Sequence, residues 1–526
     1  GCLPGPVPLR RLRALPYTFS VLHEVVLSMR GACVVDEWQL FWVGGGAAPK
    51  APAGDAPAGW AGLADRERRL GFRERQPILI SPDGRVDARL SEFFRRSRFA
   101  SRAVGTQESY VLDYRLFFSF LWQAGRNWDQ ARAEDLEDWE DWRLRGRGNP
   151  RRIGGAKWVR ELAALRLLYE WAAARGHLVA SPVRLRTVRT RDGVPVQVAE
   201  LAPSDVRSSD VKWLTPRAFR LWRDAGLRGY GADGRPDASW RGRNDGRDAA
   251  FADVLFASGL RRREAGTLLT VELPDATPAR RYYSGRIAAA VAKHSDRYFY
   301  ISAAALKGVE LYRITTRAAA VRRARAAGRY DALEVRWIVD GITRRGEVSW
   351  VDEHGERSAA SLNALTDRDR VNLFAAGEDG LEPLALWLTE TGMPMRYRGW
   401  SKVFERASDR CQTLGLEVFA TPHMLRHSMA LRSLVSLHHA LDRRLGLTPA
   451  ERRHYEALYG NVWSMVKDLL GHRSEETTRS IYLEPVRGLQ LESLLNDEEH
   501  PDNTELLARL AERTGLVLDA PGQVGA

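Results

Sequence analysis

The region from Thr421 to Tyr482 constrains this chain most, because it joins apolar helical segments to an uncommon set of polar residues. It opens with T-P-H-M-L-R-H-S (421–428) and closes with L-L-G-H-R-S-E-E-T-T-R-S-I-Y (469–482). Apolar residues three and four positions apart predict helices here. The predicted helices are Pro422–Leu445, Pro449–Tyr459, Val462–Leu470 and Glu475–Leu483. The chemically versatile residues are His423, Arg426, His427, His472 and Tyr482.

These residue types suit chemistry on a phosphodiester. An earlier motif, S-G-L-R-R-R-E at 258–264, adds Arg261. Guanidinium groups bind phosphate oxygens through paired hydrogen bonds, and a tyrosine hydroxyl can act as a nucleophile. No cluster of Asp and Glu suited to Mg²⁺ accompanies them in the sequence. The pattern therefore predicts metal-free phosphoryl transfer on DNA, with no metal ion and no cofactor.

Composition agrees with a DNA partner without requiring one. The 526 residues carry a formal charge of +13, which favours a polyanion but also serves plain solubility. Three cysteines, Cys2, Cys33 and Cys411, lie too far apart for a disulfide framework or a zinc site and fit a reducing cytoplasm. No apolar run reaches membrane-spanning length. We therefore expect a cytoplasmic protein that binds double-stranded DNA and no membrane.

Residues 87–180 predict a bundle of about four helices. Tyr110, Tyr114, Phe117, Phe118 and Leu121 recur at helical spacing in a predicted helix 106–124, and further helices are predicted around 136–142 and from 155 to 175. This aromatic stripe is expected to form core rather than a base-stacking platform. Basic residues at a loop and helix start are candidates for DNA binding, although a solvated loop is an equal alternative for each. They are Arg145, Arg147, Arg151, Arg152 and Lys157.

The chain after residue 210 predicts a second set of elements. Thr215 and Pro216 are a favourable cap and first residue for a helix that ends near Leu227. Further helices are predicted at Arg247–Ser258, Ala303–Ala327 and Gly399–Cys411, and strands at Arg286–Ala292 and Arg297–Ser302. Residues 328–385 alternate short strand signals with charged turns and are not assigned.

The carboxy-terminal half resembles the tyrosine recombinases, also called the phage integrase family. S-G-L-R-R-R-E resembles the first arginine motif of the family, and A-K-H-S-D-R at 292–297 resembles its lysine hairpin. H-M-L-R-H-S at 423–428 and L-G-H at 470–472, followed by Tyr482, resemble the His-x-x-Arg box and the closing motif. Because four weak motifs occur in the family order, the resemblance covers roughly residues 90–490.

The resemblance implies a mainly α (α+β) fold. A helical, SAM-like core-binding bundle would precede a mixed, mostly helical catalytic domain with a small β-hairpin or sheet. The expected division of the chain is an N-terminal extension 1–85, a helical DNA-binding domain 86–183, a linker 184–210, a catalytic domain 211–490 with an inserted segment near 308–398, and a tail 491–526.

The resemblance also implies roles for individual residues. Arg261 and Arg426 would neutralise the phosphate in the transition state, and Tyr482 would form a 3′-phosphotyrosine. His423 would be the base, His472 would hydrogen-bond the phosphate, and Lys293 would protonate the leaving 5′-oxygen. Lys307 competes with Lys293 but lies in a predicted helix. Glu264 would orient an arginine, and His427 would be structural.

Two features depart from the family pattern. Tyr482 lies ten residues after His472, where nine is more common in the family, and Tyr455 and Tyr459 upstream are expected to be core residues. The stretch from Lys307 to Gly399 exceeds the usual connection between hairpin and histidine box. The first departure leaves the choice of nucleophile to be tested.

The expected activity is that of a site-specific integrase of a mobile element, acting as a homotetramer on two recombination sites. Three alternatives stay open: a type IB topoisomerase-like enzyme, a non-catalytic DNA-binding protein on a recombinase scaffold, and a metal-dependent nuclease. The absence of a clustered Asp and Glu site in the sequence disfavours the nuclease.

Overall fold

The computed structural model describes most of the chain between residues 71 and 482. The described residues are 37–43, 66, 69, 71–150, 152–189, 195–203, 212–275, 277, 280–293, 296–439, 449–479, 481–482 and 517–518. They fall into two units, Gly1–Arg207 and Ser208–Ala526. Helices predominate in both and the sheets are small, so the predicted fold class is confirmed.

The described part of the first unit contains four α-helices of two turns or more and two short strand pairs. Asp87 caps the first helix by accepting a hydrogen bond from the Arg89 backbone N–H, and left-handed Gly176 follows the last helix. The predicted helices agree with the observed ones to within a few residues. The elements are β1 (Gln39–Trp42), β2 (Pro77–Ile80), α1 (Ala88–Arg96), α2 (Val104–Gln123), α3 (Ala133–Leu144), α4 (Gly155–Ala174), β3 (Leu185–Arg189) and β4 (Pro195–Ala199).

Aromatic side chains form the core of the first unit. Tyr114, Phe117 and Phe118 on α2 are fully buried, which confirms that the aromatic stripe is core. The buried Tyr114 hydroxyl is hydrogen-bonded, because it donates to the carbonyl of Ala164 at 2.8 Å. Aromatic burial of this size stabilises the bundle without exposing rings for base stacking.

The segment 184–210 was expected to be a linker, and part of it is a β-hairpin. β3 and β4 pair antiparallel, with Leu185 opposite Ala199 at one end and Arg189 opposite Pro195 at the other. The indole N–H of Trp158 donates to the carbonyl of Leu201 at 2.9 Å. The hairpin escaped prediction because nearly all its side chains are exposed and the apolar residues of β3, Leu185 and Val188, do not alternate with polar ones.

The second unit begins with helices that lead to the first arginine motif. Thr215 caps the first helix with Pro216 at its first position, as predicted, and left-handed Gly259 ends the second helix before Arg261. The elements are β5 (Trp213–Leu214), α5 (Pro216–Arg228), α6 (Asp245–Ser258) and the short α7 (Arg262–Gly266).

A β-hairpin and a long helix follow. β6 (Tyr282–Ile287) pairs with β7 (Arg297–Ser302), and Lys293 lies in their connection. The first strand was predicted at 286–292 and lies earlier, at Tyr282–Ile287, because the buried residues Ala288, Val291 and Ala292 belong to the turn that follows it. The predicted helix 303–327 is α8 (Ala303–Tyr312) and α9 (Ala318–Ala326), joined by a π-helical turn at Arg313–Arg317.

Residues 328–385, which the sequence left unassigned, contain a five-stranded sheet in the order β10-β9-β8-β11-β12. The sheet is antiparallel except where β8 and β11 run parallel. Trp337 and Trp350 stack on it with ring centroids 4.8 Å apart. Its strands are β8 (Trp337–Ile342), β9 (Glu347–Val351), β10 (Arg357–Ser361), β11 (Leu373–Gly377) and β12 (Gly380–Pro383).

The remaining described helices of the second unit follow the sheet. They are α10 (Trp400–Thr413), α11 (Pro422–His439), α12 (Pro449–Tyr459) and α13 (Val462–Leu470), close to the predicted bounds. Residues 475–479 and 481–482 are also helical. A last strand, β13 (Val517–Leu518), pairs parallel with β5. Among the described residues, no helix combines the length and apolar character that crossing a membrane requires.

Candidate active site

Arg261 lies at the junction between α6 and α7. The left-handed conformation of Gly259 turns the chain, and Arg261 then caps α7. The Glu264 carboxylate accepts from the Arg261 backbone N–H at 2.7 Å and from its Nη1 at 2.8 Å. The Arg261 side chain keeps 22% of its surface exposed. The guanidinium is thus held firmly and still has a face available to a ligand.

Arg297, at the start of β7, belongs to the same cluster although it was not predicted. Its Nη1 and Nη2 donate to the two Glu264 oxygens at 2.9 and 2.7 Å. Burial of the Glu264 carboxyl favours its neutral form, but the hydrogen bond and charge of Arg297, with Arg261 and Arg426, lower its pKa to about 2. Arg297 closes the A-K-H-S-D-R motif, and that position was the available signal.

Stability should depend on Glu264 in acid. Lowering the carboxyl pKa from 4.5 to about 2 corresponds to about 3 kcal/mol at neutral pH, which is present above pH 4.5 and is lost as pH falls towards 2. We expect Glu264→Gln to be less stable than the parent at pH 7. Its free energy of unfolding should fall less than that of the parent between pH 5 and pH 3. Chemical denaturation at each pH measures this.

The exposed Glu405, paired with Lys402, is the matched control for that experiment. Glu405→Gln should follow the parent at both pH values. An acid dependence in Glu264→Gln equal to the parent's would show that Glu264 is not the titrating group.

Arg426 is buried on α11, with 2% of its surface exposed. Its Nη1 donates to the carbonyl of Gly259 at 2.6 Å, and its Nη2 donates to the carbonyl of Leu470. Burial and the nearby Arg261 charge lower the pKa of the Arg426 guanidinium to about 9, so it stays charged at pH 7. A buried, neighbouring pair of cations favours binding of an anion.

The carboxyl end of α13 holds all three guanidiniums. Successive carbonyls accept from Arg297 Nε (Leu469, 3.4 Å), from Arg426 (Leu470) and from Arg261 Nη2 (Gly471, 3.1 Å). The negative end of the helix dipole also lies there. Gly471 has φ +61°, and a Cβ at this position would lie 2.9 Å from Arg297 Cδ. The L-G-H motif therefore orients the arginines through its backbone.

His472 follows this cradle and is half-buried. Its Nδ1 lies 2.9 Å from the hydroxyl oxygen of buried Thr478. Burial, with the charges of Arg426 and Arg261, lowers the His472 pKa to about 3. Its imidazole is therefore neutral at pH 7, with the ring fixed by Thr478.

His423 and Lys293 lie at the solvent side of the site. His423 is exposed at the start of α11, and Lys293 is exposed in the hairpin connection. Partial burial of the ring and the charges of Arg426, Arg261 and Lys293 lower the His423 pKa. The Lys293 ammonium is therefore close enough to act electrostatically on His423. The competing Lys307 is exposed on α8.

Tyr482 is buried in a cluster with Trp213, Leu434 and Val466. Its hydroxyl lies 2.6 Å from Nδ1 of His427, the residue that the sequence assigned a structural role. Burial raises the pKa of the Tyr482 hydroxyl well above its usual range, although the Arg426 charge opposes this. Tyr455 packs against the same cluster, and the Tyr459 side chain lies outside the described residues.

The predicted DNA-binding residues of the first unit have different surroundings. Arg145, Arg147 and Arg152 are exposed, and Arg145 pairs with exposed Asp141. Lys157 instead pairs with Asp113 and Glu161, both buried. Arg151 lies outside the described residues. The exposed arginines are therefore better placed to meet a ligand than Lys157.

No group of three or more metal-binding side chains occurs among the described residues. Burial and nearby positive charge keep the imidazoles of His427 and His472 neutral, and that positive charge is a poor setting for a cation. The site instead concentrates guanidinium donors at the carboxyl end of α13, with Arg426 close enough to buried Tyr482 to act on its pKa.

Comparisons with known proteins identify one domain of the first unit. Residues 97–176 match the family described as "Phage integrase, N-terminal SAM-like domain". A search of curated proteins found no match.

Solved structures were also matched, at low similarity. The XerH site-specific recombinase bound to palindromic difH substrate is 13% identical, with 74% of this chain and 78% of that chain covered and a TM-score of 0.39. The Tn1549 transposon integrase in complex with circular intermediate DNA is 12% identical. The match covers 80% of this chain and 97% of that chain, with a TM-score of 0.38. A lambda integrase dimer bound to a COC′ core site is 12% identical. The match covers 73% of this chain and 90% of that chain, with a TM-score of 0.33.

The SAM-like domain match lies in the first unit, and the arginine, histidine and tyrosine motifs follow it in the order typical of one family. Together, the SAM-like domain and the motifs that follow it resemble the tyrosine recombinases, the phage integrase family.

Proposed function

We propose that the protein is a site-specific recombinase, an integrase of a mobile element, which cuts and rejoins duplex DNA without a metal ion or ATP. The observation that carries this proposal is the cluster at the end of α13, where Arg261 and Arg426 share one backbone cradle next to buried Tyr482. Guanidiniums fixed in this way require little reorganisation when charge develops on a phosphate.

The reaction proposed here begins with attack of the Tyr482 oxygen on phosphorus. The O–H bond of Tyr482 breaks and its proton passes to a histidine of the site. A P–O bond to the tyrosine forms while the bond to the 5′-oxygen breaks, and Lys293 supplies the proton to that oxygen. Arg261 and Arg426 bind the non-bridging oxygens, and His472 donates a further hydrogen bond. The 3′-phosphotyrosine retains the energy of the broken ester, so the reverse attack by a 5′-hydroxyl rejoins the strand.

Covalent trapping tests the proposal. The protein is incubated in EDTA with nicked duplexes tiled from DNA flanking its own gene, and the modified residue is identified by mass spectrometry. We expect a 3′-phosphate adduct on Tyr482. DNA binding with no adduct on any duplex would favour a non-catalytic binding protein, and relaxation of supercoils without strand exchange would favour a topoisomerase.

The partner proposed is double-stranded DNA in the cytoplasm, bound as a homotetramer on two sites. Sedimentation of the protein with and without a trapped duplex tests the tetramer. A complex containing a single protomer on each cleaved duplex, with no further association, would argue for the topoisomerase-like alternative.

The exposed arginines at the start of α4 are proposed to contact phosphates. Arg147→Ala with Arg152→Ala should weaken DNA binding and reduce the slope of log affinity against log salt by nearly two, because each lost phosphate contact contributes about 0.9. Binding isotherms at several salt concentrations measure the slope.

Arg344 and Arg345, exposed in the turn between β8 and β9, give a control with the same change of charge. Arg344→Ala with Arg345→Ala should leave the slope nearly unchanged. Equal slopes for the two double variants would remove the case for a phosphate-binding loop at the start of α4.

A further inference from the structure

The Tyr482 hydroxyl has a buried neighbour that the sequence did not assign to chemistry. Tyr482 is 1% exposed and His427 is 9% exposed, and the hydroxyl oxygen lies 2.6 Å from His427 Nδ1. A phenol with so little surface cannot pass its proton directly to bulk water. Its proton must therefore move first to a group of the protein.

His423, the base expected from the sequence, lies farther out. It is exposed, and its ring centroid lies 4.3 Å from that of His427, one helical turn along α11. In the described part of the chain, the Tyr482 hydroxyl bonds to His427 and not to His423. His427, the inner histidine of this edge-to-face pair, is thus the one in hydrogen-bond reach of the nucleophile.

We infer that His427 accepts the proton of the Tyr482 hydroxyl when the tyrosine attacks the DNA phosphorus, an inference that rests on the proposed function. The O–H bond of Tyr482 breaks and the proton passes to His427 Nδ1, while the freed electron pair forms the new O–P bond. The 5′-oxygen leaves with a proton from Lys293. On religation the His427 imidazolium returns its proton to the tyrosine.

The charges around His427 suit this role. His423 and Arg426 act on its charge from the same helix and His472 acts from the segment after α13, while the Tyr482 hydroxyl contacts its Nδ1. Burial, then His423 and Arg426, lower the His427 pKa to about 3, so the ring is neutral and able to accept before DNA arrives. A phosphate held by Arg261 and Arg426 adds negative charge nearby, which raises the proton affinity of the ring.

The test is the rate of Tyr482 adduct formation with a nicked duplex, measured in single turnover from pH 6 to pH 9. In His427→Ala, the rate of adduct formation should fall by about 10²- to 10⁴-fold. That rate should also become strongly pH-dependent, because the tyrosine must then ionise by itself. Added imidazole should restore part of the rate by occupying the space left. His427→Asn fills that space and keeps a hydrogen bond, so it should be slow, folded and insensitive to imidazole.

Two variants serve as references. His354→Ala, at an exposed turn of the inserted sheet, should behave as the parent. His423→Ala should be slower without being restored by imidazole.

Each outcome has a definite meaning. Rescue of His427→Ala supports the inference. A rate equal to the parent's in His427→Ala, a loss that imidazole does not restore while DNA binding is kept, or rescue of His423→Ala instead would overturn it. If the parent itself forms no adduct on any duplex, the proposed function fails, and this outcome is distinct from a parent that reacts equally well without His427.

Discussion

Tyr482→Phe should form no covalent adduct with DNA while binding the same duplexes. The phenylalanine ring keeps the packing against Trp213 and Val466 but lacks the oxygen that would attack phosphorus. The substitution also leaves buried His427 Nδ1 without its hydrogen-bond partner. The free energy of unfolding should therefore fall by about 1–3 kcal/mol. Trapping assays and thermal denaturation measure the two effects separately.

Tyr455→Phe is the control for this result, because Tyr455 packs against the same cluster. It should keep the adduct. An adduct that survives in Tyr482→Phe and disappears in Tyr455→Phe would move the nucleophile to Tyr455 and would show that the unusual spacing after His472 misled the assignment.

Arg426→Lys should lower the cleavage rate by about 10²- to 10³-fold, the usual effect of losing one fixed donor to a charged transition state. The guanidinium of Arg426 donates to two carbonyls and still carries its charge into the site. A lysine ammonium cannot reproduce this planar geometry, so it would leave Gly259 or Leu470 without its donor. Single-turnover trapping measures the rate, with DNA affinity determined separately.

Arg370 provides a matched control, because it is equally buried and also donates to several carbonyls and to Glu272. Arg370→Lys should cost comparable stability, yet it should leave the rate per folded molecule unchanged. If both variants cleave equally slowly, the loss in Arg426→Lys reflects folding and not transition-state stabilisation.

The structure relates the closing motif to the first arginine motif in a way that the linear order does not reveal. Arg261 and Gly471 are far apart in the chain, yet the carbonyl of Gly471 accepts from Arg261. Arg297 joins the same group through Glu264. A substitution at Gly471 should therefore disturb the arginines without touching DNA.

The helices that carry these residues could be predicted from sequence because their causes are local. Apolar spacing and the flanking glycines located α4, and the Thr215-Pro216 pair located the start of α5. Residue types alone also indicated Arg261, Arg426, His472 and Tyr482 as site candidates. These are statements about short stretches of chain, where backbone propensity and side-chain chemistry act together.

The remaining features depended on contacts between distant parts of the chain. The five-stranded sheet escaped prediction because its strands are short and only partly buried, and because its one parallel pair joins strands separated by two others in sequence. The role of Arg297 depends on Glu264 in another element, and the contact of His427 with Tyr482 depends on how α11 packs against the segment after α13. The sequence determined which groups are present, but only tertiary packing decided which histidine meets the tyrosine, because hydrogen-bond distance and burial are set by helix packing and not by position along the chain.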